Sequence, residues 1–250
     1  VMFDEMHKEI DAVIISTPDH THFAPAMIAM ELGKHVFVEK PLAHNVWELR
    51  TMKKAAKYYN VVSQMGNQGH TTNGIRLIKE WYEAGVLGDV REIHAWIGAF
   101  DFKPGHYWTL PESFPPPKHP VPDYLDWDRW LGPAPARSYH DIIVEKGWFP
   151  NWRWYREFGG GILSDWGAHM FDIVQWALGM DDSGPVKYEA PMETTASRGL
   201  KMHYNNGIEV EHRNFGRGFA VRFFGSKGTL DISRSFFEIN PKELMNIKLI

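Results

Sequence analysis

Ala12-Val13-Ile14-Ile15-Ser16-Thr17-Pro18-Asp19 is an apolar, mostly β-branched run that stops at a turn. A run this short and this apolar is the pattern of a strand buried on both faces of a parallel sheet. A helix is expected from about His22 to Leu32, closed by Gly33, and the cycle then repeats. His35-Val36-Phe37-Val38 is the next strand, ending in Glu39-Lys40-Pro41, and Asn45 caps a helix to about Tyr59. Val61-Val62-Ser63-Gln64-Met65 is a third strand, ending in Gly66-Asn67-Gln68-Gly69, and a helix from Gly74 to Glu83 closes with Gly85. Upstream, Phe3 to Ile10 reads as the end of an amphipathic helix. Strand–helix alternation at this spacing means right-handed βαβ units and a parallel sheet. Ligands of such sheets bind beyond the C-terminal ends of the strands, so the three strand ends are expected to line one crevice.

The pattern changes after Gly88. Val90 to Phe100 alternates apolar and polar residues, as a strand solvated on one side does. Asp101 to Asp126 is rich in proline and aromatics and is expected to be a long covering loop. Trp127 to Leu131 reads as a helical turn. Later strands are expected at Met192–His203, Ile208–Arg213, Phe219–Phe224 and Thr229–Ser233, with Asn205-Asn206-Gly207 and Ser226-Lys227-Gly228 as turns. The fold class is therefore α/β: half of a doubly wound parallel sheet in residues 1–88, then an α/β domain with a large, mostly antiparallel open sheet in 89–250.

The 250 residues suffice for a real core, and a net charge of −4 offers no basic field for nucleic acid. No apolar run is long enough to span a bilayer. Cysteine is absent, which removes disulfides, thiolate metal sites and cysteine nucleophiles together. It leaves the compartment open: cytoplasmic by default, with export equally compatible. The many Trp and Tyr residues between Trp81 and Trp176 suit stacking on sugars or cofactors, and equally suit an aromatic core.

The chemistry-bearing stretch is Gly159-Gly160-Gly161-Ile162-Leu163-Ser164-Asp165-Trp166-Gly167-Ala168-His169. Ile162, Trp166, Met170, Ile173, Val174 and Ala177 recur at helical spacing, and Gly179 ends the segment as a C-cap does. Asp165, His169 and Asp172 then share one helix face. A carboxylate beside an imidazole on a helix can move protons near neutrality; it can also be a buried pair that only satisfies itself. From the residues alone the two readings are level.

Thr17-Pro18-Asp19-His20-Thr21-His22, Glu39-Lys40-Pro41, Trp130-Leu131-Gly132-Pro133 and the glycine run with Asp165 and His169 stand in one order along the chain. Together they resemble the Gfo/Idh/MocA family of sugar and cyclitol oxidoreductases. The resemblance implies a nucleotide-binding domain followed by a domain whose open sheet makes a homo-oligomer. It implies NAD or NADP as cofactor, a sugar or polyol substrate, and Lys40, Asp165 and His169 as the catalytic residues. His169 would accept the hydroxyl proton, Lys40 would polarise the substrate oxygen, and Asp165 would orient His169 or hold a hydroxyl. Cofactor contacts are expected from Ser16, Thr17, Pro18, His22, Glu39, Lys40, Pro41, Asn67, Gln68, Trp152 and Arg153. The resemblance also implies that the peptide before Pro41 is often cis.

The family's phosphate-binding GxGxxG does not precede Ala12, and strands one to three of the nucleotide-binding order are not in this sequence. The chain is accordingly read as a piece of a longer one. Three functions remain open: a dehydrogenase, a redox-neutral glycoside lyase or hydrolase using tightly held NAD, and a non-catalytic sugar-binding or assembly module. His20-x-His22 is read as a cap or cofactor contact, with no metal site expected. His106, Tyr107 and Trp108 belong either to a substrate lid or to a packed loop.

Overall fold

The computed structural model describes residues 2–97, 113, 115–144, 151–193, 196 and 198–247. The first half of the chain contains α1 (Met2–Met6), β1 (Ala12–Ile15), α2 (Phe23–Glu31), β2 (His35–Glu39), α3 (Val46–Tyr58), β3 (Ser63–Gly66), α4 (Asn73–Glu83) and β4 (Val90–Trp96). Then come α5 (Trp127–Leu131), α6 (Asp141–Val144) and α7 (Gly161–Ala177). The remaining strands are β5 (Lys187–Glu189), β6 (Lys201–His203), β7 (Glu209–His212), β8 (Ala220–Gly225), β9 (Gly228–Ile232) and β10 (Phe237–Asn240). Contacts divide the chain into two compact units, Val1–Asn67 with Asp101–Asp165, and Gln68–Phe100 with Trp166–Ile250. Helix α7 passes from the first to the second between Asp165 and Trp166.

In the first unit β1, β2 and β3 form a parallel sheet with Ile14 opposite Phe37 and Phe37 opposite Gln64. Helices α2 and α3 supply its apolar cover, with Ile15, Met30, Val36, Val38 and Met52 in one core. The expectation that β1 is buried on both faces fails, because Ile14 is 74% exposed. In β2, Val36 and Val38 are buried while His35 is exposed and Phe37 and Glu39 are half-buried. Among the described residues only one face of this sheet is covered, and such a sheet alternates whatever its strand direction. The third strand also starts later than its apolar run suggests, at Ser63. Helix α3 begins as expected: Asn45 Oδ1 accepts the Glu48 N–H at 3.0 Å, and Glu48 Oε2 accepts the His44 N–H at 3.0 Å.

A second cluster in this unit is aromatic: Trp127, Leu131, Tyr139, Ile143, Trp152, Tyr155 and Phe158 are buried together. Trp127 and Trp130 stack with centroids 4.9 Å apart, and His20 lies against Trp130 and Phe158. Here the aromatic richness of the sequence is core. His106, Tyr107 and Trp108 lie outside the described residues.

The second unit holds a seven-stranded sheet in the order β10-β9-β8-β4-β7-β6-β5, antiparallel except where β4 meets β7. Strands β5 and β10 were not expected from the sequence, and among the described residues of Met192–His203 only Lys201–His203 is strand. In the central strand β4 every residue from Ile93 to Trp96 is buried, including His94, while Arg91 and Glu92 stay exposed. Its His94 is retained inside by Glu92 (Nε2 to Oε1, 2.6 Å) and by the edge of the Phe224 ring. Both expected turns are present: Gly207 has φ +84° between β6 and β7, and Ser226-Lys227 joins β8 to β9.

His212, at the end of β7, is 3% exposed and stacks on Trp96 with centroids 5.1 Å apart. Burial, aided by the Arg198 charge, pushes its pKa from 6.5 down to about 4. A histidine that folds neutral adds stability that is fully present above its unfolded pKa and lost as pH falls through the folded one. Acidification from pH 6.5 to 4 should therefore cost about 3 kcal/mol through this group. Urea unfolding across that range should show the loss, and His212→Gln should flatten it; an equal slope in the variant would contradict the assignment.

Candidate active site

The end of β1 is organised by its own side chains. Thr21 donates both its backbone N–H and its hydroxyl to Pro18 O, each at 2.8 Å. The imidazole of His22 is buried between two main-chain oxygens, Nε2 at 2.7 Å from Thr17 O and Nδ1 at 2.8 Å from Pro41 O. It is a strut that ties the end of β1 to the end of β2, and both its nitrogens are committed there. His20 Nε2 is 3.0 Å from Trp130 O, so the two imidazoles do not form a chelating pair. Ser16 and Thr17 are exposed beside this strut, and the Lys40–Pro41 peptide is cis.

Lys40 reaches from the end of β2 to the first turns of α7. Its Nζ pairs with the Asp165 carboxylate and donates to Asp165 O at 3.0 Å. The two side chains are 11% and 6% exposed. Arg153 lies on the other side of Asp165, its Nε 3.9 Å from Oδ2, and its Nη1 is 3.8 Å from Asp19 Oδ1. Burial is the main influence on both Asp19 and Arg153: it raises the Asp19 pKa and lowers that of Arg153, while each partly offsets the other. Two carboxylates and two cations thus share one buried polar cluster. Asp19 was not singled out from the sequence; its signal was its place directly after the β1 turn.

The three glycines before Asp165 are needed for three different reasons. A Cβ on Gly159 would stand 2.8 Å from Arg153 O and 3.0 Å from Arg153 Cα. A Cβ on Gly160 would meet both the Ser164 hydroxyl, which can turn away, and the Ser164 Cβ at 2.7 Å, which cannot. Gly161 has φ +69°, the left-handed region, with open space around it. Gly161→Ala should cost about 1 kcal/mol from that backbone conformation, and Gly160→Ala more, because the Ser164 Cβ cannot be turned aside. Urea titrations of the two variants would check the ranking; the reverse order would refute it.

Beyond Asp165 the same helix carries His169, buried, with its ring against the edge of Trp166 (5.4 Å). Asp165 turns its carboxylate to Lys40 and Arg153. Asp172 accepts from His70, Oδ2 to Nδ1 at 2.7 Å. The sequence reading missed His70, although it stands four residues past the end of β3. At that strand end Asn67 Oδ1 is buried without a hydrogen-bond partner among the described residues, and Gln68 O accepts from Arg234 at 2.6 Å. An orphaned acceptor at the end of a parallel strand fits a cofactor amide or hydroxyl as its missing donor. Trp152 is part of the aromatic core and carries the Arg153 guanidinium over its ring at 4.4 Å.

The first unit thus combines a parallel sheet with polar strand ends and a buried lysine–carboxylate pair at a glycine-opened helix. Residues 2–67 match the oxidoreductase family's NAD-binding Rossmann fold, and residues 71–219 match that family's C-terminal alpha/beta domain. The chain belongs to the Gfo/Idh/MocA oxidoreductase family. It is 33% identical over 87 residues to 2,7-anhydro-N-acetylneuraminate hydratase of Escherichia coli, covering 35% of this chain and 23% of that one. It is 37% identical over 82 residues to levoglucosan dehydrogenase of Pseudarthrobacter phenanthrenivorans, covering 33% and 21%. Its fold matches an inositol dehydrogenase homolog from Azotobacter vinelandii complexed with NAD+, with TM-score 0.64 and 20% identity over 96% of this chain and 58% of that one. The chain thus matches less than a quarter of the length of these two curated relatives. Among the described residues no helix is long and apolar enough to cross a membrane.

Proposed function

We propose that this chain belongs to an NAD(P)-dependent oxidoreductase that removes hydride from a carbinol of a sugar or polyol. The observation that carries the reading is the buried Lys40–Asp165 pair, which joins a parallel-strand end to the helix bearing His169. Bound NAD(P)+ supplies the hydride acceptor. Ser16, Thr17, Pro18, Glu39, Lys40, Pro41, Asn67 and Gln68 contact it in this reading, while His22, Trp152 and Arg153 hold those contacts in place. Lys40 polarises the substrate oxygen, His169 takes the hydroxyl proton, and Asp165 sets the lysine rather than the imidazole. Residues 1–88 serve the cofactor and 89–250 the substrate, and the open face of the seven-stranded sheet is the surface for a second copy.

A redox-neutral variant of the same chemistry has one observation in its favour, the histidine–carboxylate pair of His70 and Asp172. NADH formation is the discriminating measurement. The protein is offered NAD+ and NADP+ with a panel of pyranosides and inositols, before and after release of any nucleotide it already holds. Stoichiometric NADH that falls at least about 100-fold in His169→Ala supports the dehydrogenase. No reduced cofactor from any member of the panel, and no released nucleotide, would sink it.

A further inference from the structure

His119 and His140 stack ring on ring, with centroids 3.8 Å apart and 26° between their planes. Both Nδ1 atoms face one carboxylate oxygen: Asp141 Oδ1 is 2.8 Å from that of His119 and 3.0 Å from that of His140. The backbone sets this up. His119 donates its N–H to Tyr139 O at 2.9 Å, which lays the two segments side by side. Tyr139, Ile142 and Ile143, on either side of the pair, are buried in the aromatic cluster, so His140 and Asp141 start from a fixed base. All of these residues belong to the first unit.

The lone pairs gathered here outnumber the protons. The Ile142 N–H is 3.0 Å from both His140 Nδ1 and Asp141 Oδ1, so one donor is divided between two acceptors. His140 Nδ1 is therefore an unprotonated nitrogen that faces a carboxylate oxygen across 3.0 Å. Two acceptors at that distance repel unless something positive lies against both, and one divided N–H is a weak form of it. Burial, with the His119 charge beside it, lowers the His140 pKa although Asp141 raises it, which keeps the imidazole neutral near pH 7.

The same atoms suit a metal ion. The donor atoms of the three residues lie within 4.8 Å of one another. Bonds of about 2.0–2.1 Å to zinc put neighbouring donors roughly 2.8–3.4 Å apart, and the 2.8 and 3.0 Å separations fall in that range. The rings need only fan apart about their Cβ–Cγ bonds, a broad torsion, for both planes to meet at the ion. Two imidazoles and a carboxylate without a thiolate favour Zn2+ or Co2+ over Mg2+ and Ca2+, which take oxygen ligands. The side chains of His119 and Asp141 are 38% and 65% exposed, which leaves water to complete the coordination.

We propose that His119, His140 and Asp141 bind one zinc-class divalent ion through two Nδ1 atoms and one carboxylate oxygen. The ion ties the segment carrying His119 to the start of α6 and so braces the aromatic cluster of Trp127, Tyr139 and Ile143. The site uses none of the residues assigned to cofactor or substrate, so it stands whatever the reaction is.

The protein, prepared without a polyhistidine tag and stripped by chelator, is titrated with ZnCl2 by calorimetry, and bound metal is counted after gel filtration. One equivalent is expected, with affinity falling below about pH 6 as protons compete for the imidazoles. Zinc should raise the thermal midpoint, and Mg2+ should not. His119→Ala and Asp141→Asn, whose side chains reach solvent, should each weaken zinc binding at least about 100-fold. The metal-free thermal midpoint of each variant reports whether it is folded. Co2+ in place of zinc supplies a second readout. Two paramagnetically shifted Nε2–H signals are expected in the wild type and one in His119→Ala. No uptake at about 0.1 mM zinc, or uptake that either folded variant leaves unchanged, overturns the site.

Discussion

Lys40→Met is expected to lower the rate of NADH formation at least about 100-fold and to cost about 3 kcal/mol of stability. The stability loss follows from burial. Asp165 would keep its carboxylate in a site 6% exposed, facing, among the described residues, only the Arg153 guanidinium at 3.9 Å. An unpaired charge in such a place costs more than the pair as a whole contributes. The two effects separate in the double variant. Lys40→Met with Asp165→Leu removes both charges, so most of the lost stability should return while the activity does not. Urea unfolding and NADH formation on the wild type, Lys40→Met and the double variant decide this. If activity recovered together with stability, Lys40 would be a structural lysine and the assignment of its role would be wrong.

Gly159→Ala should cost about 2 kcal/mol and about 100-fold in rate. The added carbon would press on the Arg153 main chain, which cannot rotate away. Relief must come from moving the Arg153 backbone or the start of α7. Either motion shifts Arg153 and Lys40 relative to Asp165, and a displacement of about 1 Å at such a site is enough to lose two orders of magnitude. The check is a rate measured well below the unfolding transition, so that the loss cannot be assigned to unfolded protein. A variant destabilised as expected but fully active would show that the glycine serves packing alone.

Much of the fold was legible because local patterns and tertiary packing agree. Strands β1 and β2, the cap at Asn45, the turn at Gly207 and the helix from Gly161 to Ala177 all stand where periodicity and turn chemistry put them. The failures have one cause. Ile14 is exposed and His94 is buried because burial depends on which elements cover a strand, and strand sequence does not carry that information. β5 and β10, three and four residues long, are too short to show a period and exist because β6 and β9 offer them an edge.

The same division runs through the candidate site. Sequence by itself determined which residues are available for chemistry: a lysine at a strand end, and an aspartate and a histidine four apart on a glycine-opened helix. Those follow from short-range geometry, since helical spacing and strand ends are set within a few residues. Only the tertiary structure decided the partners. Asp165 is turned to Lys40 from 125 positions away, His22 is spent as a strut between two carbonyls, and Asp172 holds a histidine 102 positions earlier in the chain. Pairings at that separation depend on how the chain folds back on itself, and a buried charge accepts whichever opposite charge or donor the fold brings within reach.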